Sequence, residues 1–271
     1  MIKSRNLLIM NRLQEHYKEA LEHFPEERIV GIFLQGSQNY GLDYEYSDVD
    51  TKLIVLPSFE DIVFNRKPVS TTHVRANDEH IDFKDIRLYM ECFVKQNLNF
   101  LEILFTPFKI VNPLYEDEWN KLIYHREEIA HMNPARAVKT MKGIALEKFH
   151  AMEHRYPAKA EIIDKYGYDG KQVSHLIRVD DYLERYIKGE SYESCLRPTE
   201  SKKDEIMDYK LLEKYSLAEA QVRAIQVRDH AVKMADDFCA EHEEKEDVAV
   251  RNLLSEVQYN ILRRAISKEL N

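Results

Sequence analysis

A glycine-serine pair and two aspartates near the start of the chain have the types and spacing that phosphate chemistry requires. Gly36-Ser37 ends one apolar run, and Asp48 and Asp50 open the next. Residues two apart on a strand project from the same face, so we expect both carboxylates at one end of a strand. Neighbouring carboxylates repel each other unless a cation lies between them. Oxygen ligands at a site open to substrate suit Mg²⁺ or, by the same donor chemistry, Mn²⁺.

Gly36 and Ser37 supply groups that can hold a phosphate. A glycine at a strand end lets the backbone approach a phosphate closely, and backbone N–H groups together with the Ser37 hydroxyl can donate to phosphate oxygens. Tyr40, Tyr44 and Tyr46 flank this turn. They would either stack on a base or cover the loop with amphipathic surface, and the sequence favours neither.

A further carboxylate, Asp82, is placed by strand alternation. Ile81 and Phe83 are apolar and predict a buried face, so Asp82 should project from the other face. Glu79 and Asp85 are nearby alternatives, but neither has apolar residues on both sides. We therefore favour Asp82 over both.

Lys171, His175 and Arg178 follow each other at spacings of four and three, which places them on one face of a predicted helix. Lysine as a point charge and arginine as a fork both suit a triphosphate, and we favour that interpretation. The alternative is a polar helix face that faces solvent. For His175, a hydrogen-bonded structural role is a nearly equal alternative.

The elements that must position these residues are mixed in the first part of the chain and helical in the second. We predict a helix over residues 5–23, strands over 28–35, 48–56, 69–74 and 80–84, and a helix from residue 85. Helical periodicity then dominates, with helices over 133–154, 171–188, 216–240 and 247–269. The predicted fold class is α+β: a mixed sheet with flanking helices in a domain over residues 1–112, followed by an all-helical domain over 113–271 that closes the cleft.

Composition narrows the classes of protein. The 271 residues carry a formal net charge of −9, which argues against a general nucleic-acid-binding surface. The three cysteines are far apart and form no CxxC pair, which is typical of a reduced, intracellular protein. No segment has the pattern of a signal peptide or the length of a membrane span. We expect a cytoplasmic protein with no membrane partner.

The motif Gly36, Ser37, then Asp48-Val49-Asp50 resembles that of the DNA polymerase beta nucleotidyltransferase superfamily. The helical motif around Lys171 resembles a group of bacterial and phage members, and the similarity covers about residues 28–190. The resemblance implies that Asp48, Asp50 and Asp82 form the catalytic metal site. Thr51-Lys52 departs from the apolar residues that the family usually has after the second aspartate. Lys52 would share the face of the aspartates, where it would contact a phosphate or weaken the metal site.

The resemblance implies transfer of a nucleoside monophosphate from a nucleoside triphosphate to an acceptor hydroxyl, with release of pyrophosphate. RNA or tRNA, a protein hydroxyl and a small alcohol are all possible acceptors, because they use the same metal chemistry. The main alternative is a catalytically silent module of the same fold that binds a nucleotide or a partner chain. Metal-dependent phosphoester hydrolysis is a less favoured alternative. Glu102, within an apolar helix, is predicted to have a structural role.

Overall fold

The computed structural model describes residues 2–44, 47–212 and 214–271. The chain forms two compact units. The first contains the residues up to Met132 together with Glu246–Asn271, and the second contains Asn133–Lys245.

The first unit contains a five-stranded sheet with helices on its faces. Its strands are β1 (Ile29–Gln35), β2 (Asp50–Val55), β3 (Ser70–Val74), β4 (His80–Asp85) and β5 (Lys109–Val111). Its helices before Met132 are α1 (Ile2–Ala20), α2 (Phe59–Val63), α3 (Ile86–Val94), α4 (Leu98–Leu101), α5 (Glu116–Tyr124) and α6 (Arg126–Ala130).

The strand order is β3-β4-β2-β1-β5. β2 and β4 pair in parallel, and every other neighbouring pair is antiparallel. A parallel pair needs a connection that crosses over the sheet, and here the crossover includes α2 and the edge strand β3. The two strands that carry the predicted acidic residues therefore lie side by side in the sheet.

One face of the sheet is apolar and lies under α1. Leu53 and Ile81 on the strands pack with Ala20 of α1, and Leu34 packs with Leu13. The buried ring of His16 joins this helix to the sheet, because its Nδ1 lies 2.9 Å from Thr51 Oγ1. This packing fixes which residues of β2 point toward α1, and their neighbours must point to the opposite face.

The second unit is helical in its described residues. Its helices are α7 (Pro134–Ala151), α8 (Ala160–Tyr166), α9 (Gly170–Ile187), α10 (Tyr192–Leu196), α11 (Glu200–Leu211) and α12 (Leu217–Glu241). α9 packs against α7, α10, α11 and α12, and it buries residues on all of its sides. It is therefore the central helix of this unit.

The last helix, α13 (Val248–Glu269), belongs to the first unit and packs against α3 and α5. The guanidinium of Arg264 supports this packing, with Nη2 2.6 Å from Glu118 Oε1. The apolar residues of α13 are buried at helical spacing: Val250, Leu254, Val257, Ile261 and Ala265. The division of the chain thus differs from the boundary at residue 112 predicted from the sequence. It falls after Met132, because α5 and α6 also bury apolar residues in the first unit.

The predicted α+β class, with a mixed sheet, flanking helices and a helical part, is confirmed. Two local differences matter for the site. β2 begins at Asp50, so Asp48 precedes the strand. The three-residue strand β5 was not predicted from the sequence, although it completes the sheet beside β1.

Among the described residues, no helix combines the length and the apolar character that crossing a membrane requires.

Close packing in the second unit leads to a prediction about Gly170. A Cβ at this position would lie 2.0 Å from the Tyr209 carbonyl oxygen, so α9 and α11 would have to move apart. We expect Gly170→Ala to lower the free energy of unfolding by about 3 kcal/mol. Gly143→Ala is the matched control, because Gly143 is exposed within α7 and has open space around it. It should instead stabilise the helix by about 0.5–1 kcal/mol. Urea unfolding followed by far-ultraviolet circular dichroism measures both, and equal effects would contradict the packing described.

The buried His16 leads to a prediction about pH. Burial lowers its pKa below the ordinary value of 6.5, although its hydrogen bond to Glu79 acts in the opposite direction. The unfolded chain therefore takes up this proton more readily, and the stability of the first unit should fall as the pH drops through about 6.5. His16→Gln should show a shallower fall. The single tryptophan, Trp119, is buried in the first unit. Its fluorescence during urea unfolding therefore measures the stability of that unit at each pH. If the stability of the wild type and of His16→Gln fell equally with pH, the effect would not come from His16.

Candidate active site

Asp50 and Asp82 project from the face of the sheet opposite to α1. In the parallel register of β2 and β4, Lys52 lies beside Asp82, and in the antiparallel register of β1 and β2, Gln35 lies beside Asp50. Residues paired across neighbouring strands share a face, as do residues two apart on one strand. Gln35, Asp50, Lys52 and Asp82 therefore form one polar group on the face of the sheet opposite to α1.

The Asp82 carboxylate is held by three side chains. Thr72 Oγ1 donates to Oδ1 at 2.6 Å, and Gln35 Nε2 donates to Oδ2 at 3.3 Å. The Lys52 ammonium lies 3.8 Å from Oδ2. Asp82 keeps about 30% of its side chain exposed, so it remains accessible from solvent.

The Asp50 carboxylate caps the beginning of β4. Its Oδ1 accepts from the His80 backbone N–H at 2.9 Å and lies 3.1 Å from His80 Nδ1. These bonds fix one oxygen of Asp50 at the edge where β2 and β4 both begin. Asp50 is half-buried, like Asp82.

Asp48 is exposed in the segment before β2. Its main-chain oxygen accepts from Gln38 Nε2 at 2.7 Å, which joins this segment to the turn after β1. Asp48 also borders a surface depression that contains Asn11 and Arg12 of α1. The predicted alternation from Asp48 to Asp50 along one strand is thus not the geometry observed, because the strand begins one residue after Val49.

The two alternative acidic residues have structural partners. Glu79 is buried, with its carboxylate close to His16 Nε2 at 3.1 Å and accepting from Arg75 at 2.9 Å. Asp85 is buried and accepts from the Arg87 backbone and guanidinium, with the shortest contact at 2.7 Å. Both carboxylates are used in fixing helices to the sheet, which leaves Asp82 as the accessible acid of β4.

The turn after β1 has the conformation that glycine allows. Gly36 has a φ of 88° and a ψ of −160°, a region that residues with a Cβ rarely adopt. Its N–H donates to Glu102 Oε1 at 3.2 Å, and the Tyr40 hydroxyl donates to the other oxygen of the same carboxylate. Glu102 is buried and acts on the backbone here, in agreement with the predicted structural role.

Ser37 is a residue of this turn with unused donors. Within the described part of the chain, neither its backbone N–H nor its hydroxyl donates to a protein acceptor. The residue is half-buried, and its carbonyl oxygen accepts from the Tyr40 and Leu42 backbones. Both donors are therefore free to bind an anion at the end of β1.

The tyrosines near this turn do not share one environment. Tyr40 is buried with its hydroxyl on Glu102, so it supports the turn and does not stack on a base. Tyr44 is exposed. Tyr46 lies outside the described residues.

The chemistry of a carboxylate pair suits Mg²⁺, but the side chains do not form a ready metal site. Asp50 is bonded to His80, and Asp82 is shared by Thr72, Gln35 and Lys52. In the part of the chain that the structure describes, no group of three or more histidine, cysteine or acidic side chains is placed to hold a metal ion. Binding a metal at Asp82 would require its contact with Lys52 to change.

Lys171, His175 and Arg178 lie in the second unit on α9, which confirms that their spacing places them on a helix. Lys171 is exposed, His175 is half-buried and Arg178 is buried. Burial lowers the pKa of His175 well below its ordinary value, and the positive charges of Arg178 and Lys171 lower it further. His175 is therefore neutral at neutral pH. The phosphate-binding role of all three residues remains a prediction.

Sequence reasoning did not identify Gln35, Thr72 or Phe100 as parts of this site. Gln35 was detectable, because it ends β1 and alternates with the buried Leu34. Thr72 contacts Asp82 only through the register of β3 and β4, which the sequence does not specify. Phe100 approaches Lys52 through tertiary packing, with the Lys52 ammonium 4.4 Å from its ring centre.

The carboxylate of Glu102 leads to a prediction about the turn. Glu102→Ala would leave the Gly36 N–H and the Tyr40 hydroxyl without this acceptor, so we expect the first unit to lose about 2–3 kcal/mol of stability. Tyr40→Phe removes one of the two bonds and should cost about 1 kcal/mol. Urea unfolding followed by Trp119 fluorescence measures both. A Glu102→Ala protein as stable as the wild type would show that the carboxylate does not hold the turn.

No protein-family model matches the chain, and no curated protein matches it. Among the solved structures that it resembles is a nucleotidyltransferase-like protein from Exiguobacterium sibiricum 255-15. The two share 11% sequence identity and a TM-score of 0.35, over 87% of this chain and 81% of that one.

Proposed function

We propose that this protein is a nucleotidyltransferase that moves a nucleoside monophosphate from a nucleoside triphosphate to an acceptor hydroxyl. One observation carries the proposal. Asp50 and Asp82 lie on one face of two adjacent parallel strands, and the free donors of Ser37 lie at the end of the next strand. Carboxylates beside phosphate-binding donors are the parts that phosphoryl-type transfer needs.

Ser37 and the three aspartates each have a role in the proposed reaction. Ser37 binds a phosphate oxygen through its N–H and hydroxyl. Asp48, Asp50 and Asp82 would hold Mg²⁺ or Mn²⁺, which when bound would neutralise charge on the phosphates. The acceptor oxygen attacks the α-phosphorus, the bond from that phosphorus to the bridging oxygen breaks, and pyrophosphate leaves. The proton of the acceptor hydroxyl passes to the Asp82 carboxylate, which is accessible from solvent.

The acceptor belongs to one of three classes: RNA or tRNA, a protein hydroxyl, or a small alcohol. The net charge of −9 argues against long, non-specific RNA, but it does not exclude a specific tRNA. Lys171, His175 and Arg178 are proposed to bind the triphosphate, on the basis of their residue types and helical spacing.

A catalytically silent module that binds nucleotide or a partner is the second candidate. It is favoured by the Lys52 ammonium beside Asp82 and by the exposed position of Asp48 before β2. A protein of this kind would bind a nucleoside triphosphate but release no pyrophosphate. Titration with Mg²⁺ and each nucleoside triphosphate, followed by a pyrophosphate assay, separates the two candidates.

Removal of the carboxylate charge tests the enzymatic proposal directly. The protein is incubated with each α-labelled nucleoside triphosphate, Mg²⁺ and a cell extract, and the label is followed into RNA, protein and small molecules. We expect Asp50→Asn and Asp82→Asn each to lower the rate of labelling by about 10²–10³, because each removes a charge that stabilises the transition state. The double variant Asp48→Asn with Asp50→Asn should abolish it.

Asp78→Asn is the matched control. Asp78 is an exposed aspartate in the turn between β3 and β4, with a positive φ that asparagine also adopts, so the charge change is the same and the fold is retained. Its labelling rate should equal that of the wild type. Labelling at the wild-type rate in both Asp50→Asn and Asp82→Asn would contradict the enzymatic proposal. Wild-type protein that binds nucleotide but releases no pyrophosphate would also contradict it.

A further inference from the structure

Lys52 is a buried cation in the middle of the candidate site. Only 5% of its surface is exposed, and its ammonium lies 3.8 Å from Asp82 Oδ2. Within the described residues, Asp82 is the carboxylate with which it pairs. Removing an ammonium from water is costly unless a counter-charge remains close to it, so Lys52 depends on this carboxylate.

The surroundings of Lys52 restrict where its ammonium can go. The ring of Phe100 covers it, with 4.4 Å between the ammonium and the ring centre. Phe33 pairs with it from β1, and the Lys84 ammonium approaches the same ring from β4 at 5.1 Å. Aromatic faces attract cations, but they do not replace a counter-ion. Lys84 has a different partner, because its ammonium donates to Ser70 Oγ at 2.8 Å.

A divalent cation at Asp82 would compete with Lys52 for the same carboxylate. The carboxylate would have to share its negative charge, and the buried ammonium would then face a doubly positive ion with less compensation. A triphosphate changes this balance, because it brings additional negative charge to the same face of the sheet. The Lys52 ammonium could then pair with a phosphate oxygen and leave Asp82 to the metal.

We propose that Lys52 makes metal binding at Asp82 depend on the nucleotide: it occupies the carboxylate in the free protein and passes to the phosphates when the triphosphate binds. The inference rests on the proposed function, since it needs both a metal and a triphosphate at this face. By thermodynamic linkage, if the nucleotide raises the affinity for the metal by some factor, the metal raises the affinity for the nucleotide by the same factor. Lys52 is thus a specificity-determining residue, which weakens metal binding when no triphosphate is present.

Opposite changes in two affinities test this role. Isothermal titration calorimetry on the full chain measures Mn²⁺ binding without any phosphate, and binding of inorganic triphosphate without any metal. Inorganic triphosphate carries the charges of the nucleotide without a base whose identity would matter. For Lys52→Met we expect about tenfold tighter Mn²⁺ binding and about tenfold weaker triphosphate binding than in the wild type. Methionine retains an unbranched apolar stem against Phe100, and urea unfolding with Trp119 fluorescence checks that the first unit is folded.

Lys84→Met is the matched control, since it removes a second ammonium beside Phe100 that is not paired with Asp82. Both of its affinities should equal those of the wild type. Lys52→Met proteins that bind Mn²⁺ no more tightly, or that bind both ligands more weakly, overturn the inference and leave the proposed function standing. If the wild-type protein binds neither Mn²⁺ nor triphosphate, whether each is added alone or both are added together, the proposed function and this inference are both overturned.

Discussion

The parallel pairing of β2 with β4 is the constraint on which the rest of the site depends. Leu53 and Ile81 are held under α1, and Thr51 is joined to the buried His16 on the same side. Alternation then forces Lys52 and Asp82 to the opposite face, side by side. A slip of one residue in either strand would place charged side chains under α1 and apolar ones at the site. The apolar packing on one face therefore determines the chemistry of the other.

The charges of the polar face are balanced by groups of the protein itself. Asp82 is balanced by Lys52 and by hydrogen bonds from Thr72 and Gln35, while Asp50 accepts from the backbone at the start of β4. Because these partners compensate the charges of the carboxylates, the sheet does not need a metal ion in order to fold. Such a site differs from a structural metal centre, where the ion supplies the folding energy. Any ion here would bind to a fold that already exists.

How much of this structure the sequence predicts depends on whether the signal is local. Alternation of apolar residues around Asp82 predicts its exposed face, and spacing predicts that Lys52 shares a face with Asp50, as observed. The start of β2 is not predicted. The turn before the strand places Asp48 outside the paired residues of the sheet, and the alternation of residue types does not reveal this. The return of α13 to the first unit is also not predicted. An amphipathic stripe shows that a helix is buried but does not identify its partner.

The structure also changes the meaning of the glycine-serine pair. A glycine in such a motif is usually understood as the place where the backbone donates to a phosphate, but the Gly36 N–H is already bonded to Glu102. A Cβ at Gly36 would meet no neighbouring atom, so space does not explain why glycine stands here. Glycine is needed because the backbone has a positive φ at this position. The N–H and hydroxyl of Ser37 are available to an anion. Glycine at this position thus shapes the turn, a buried carboxylate holds it, and the serine that follows is left to make the contact.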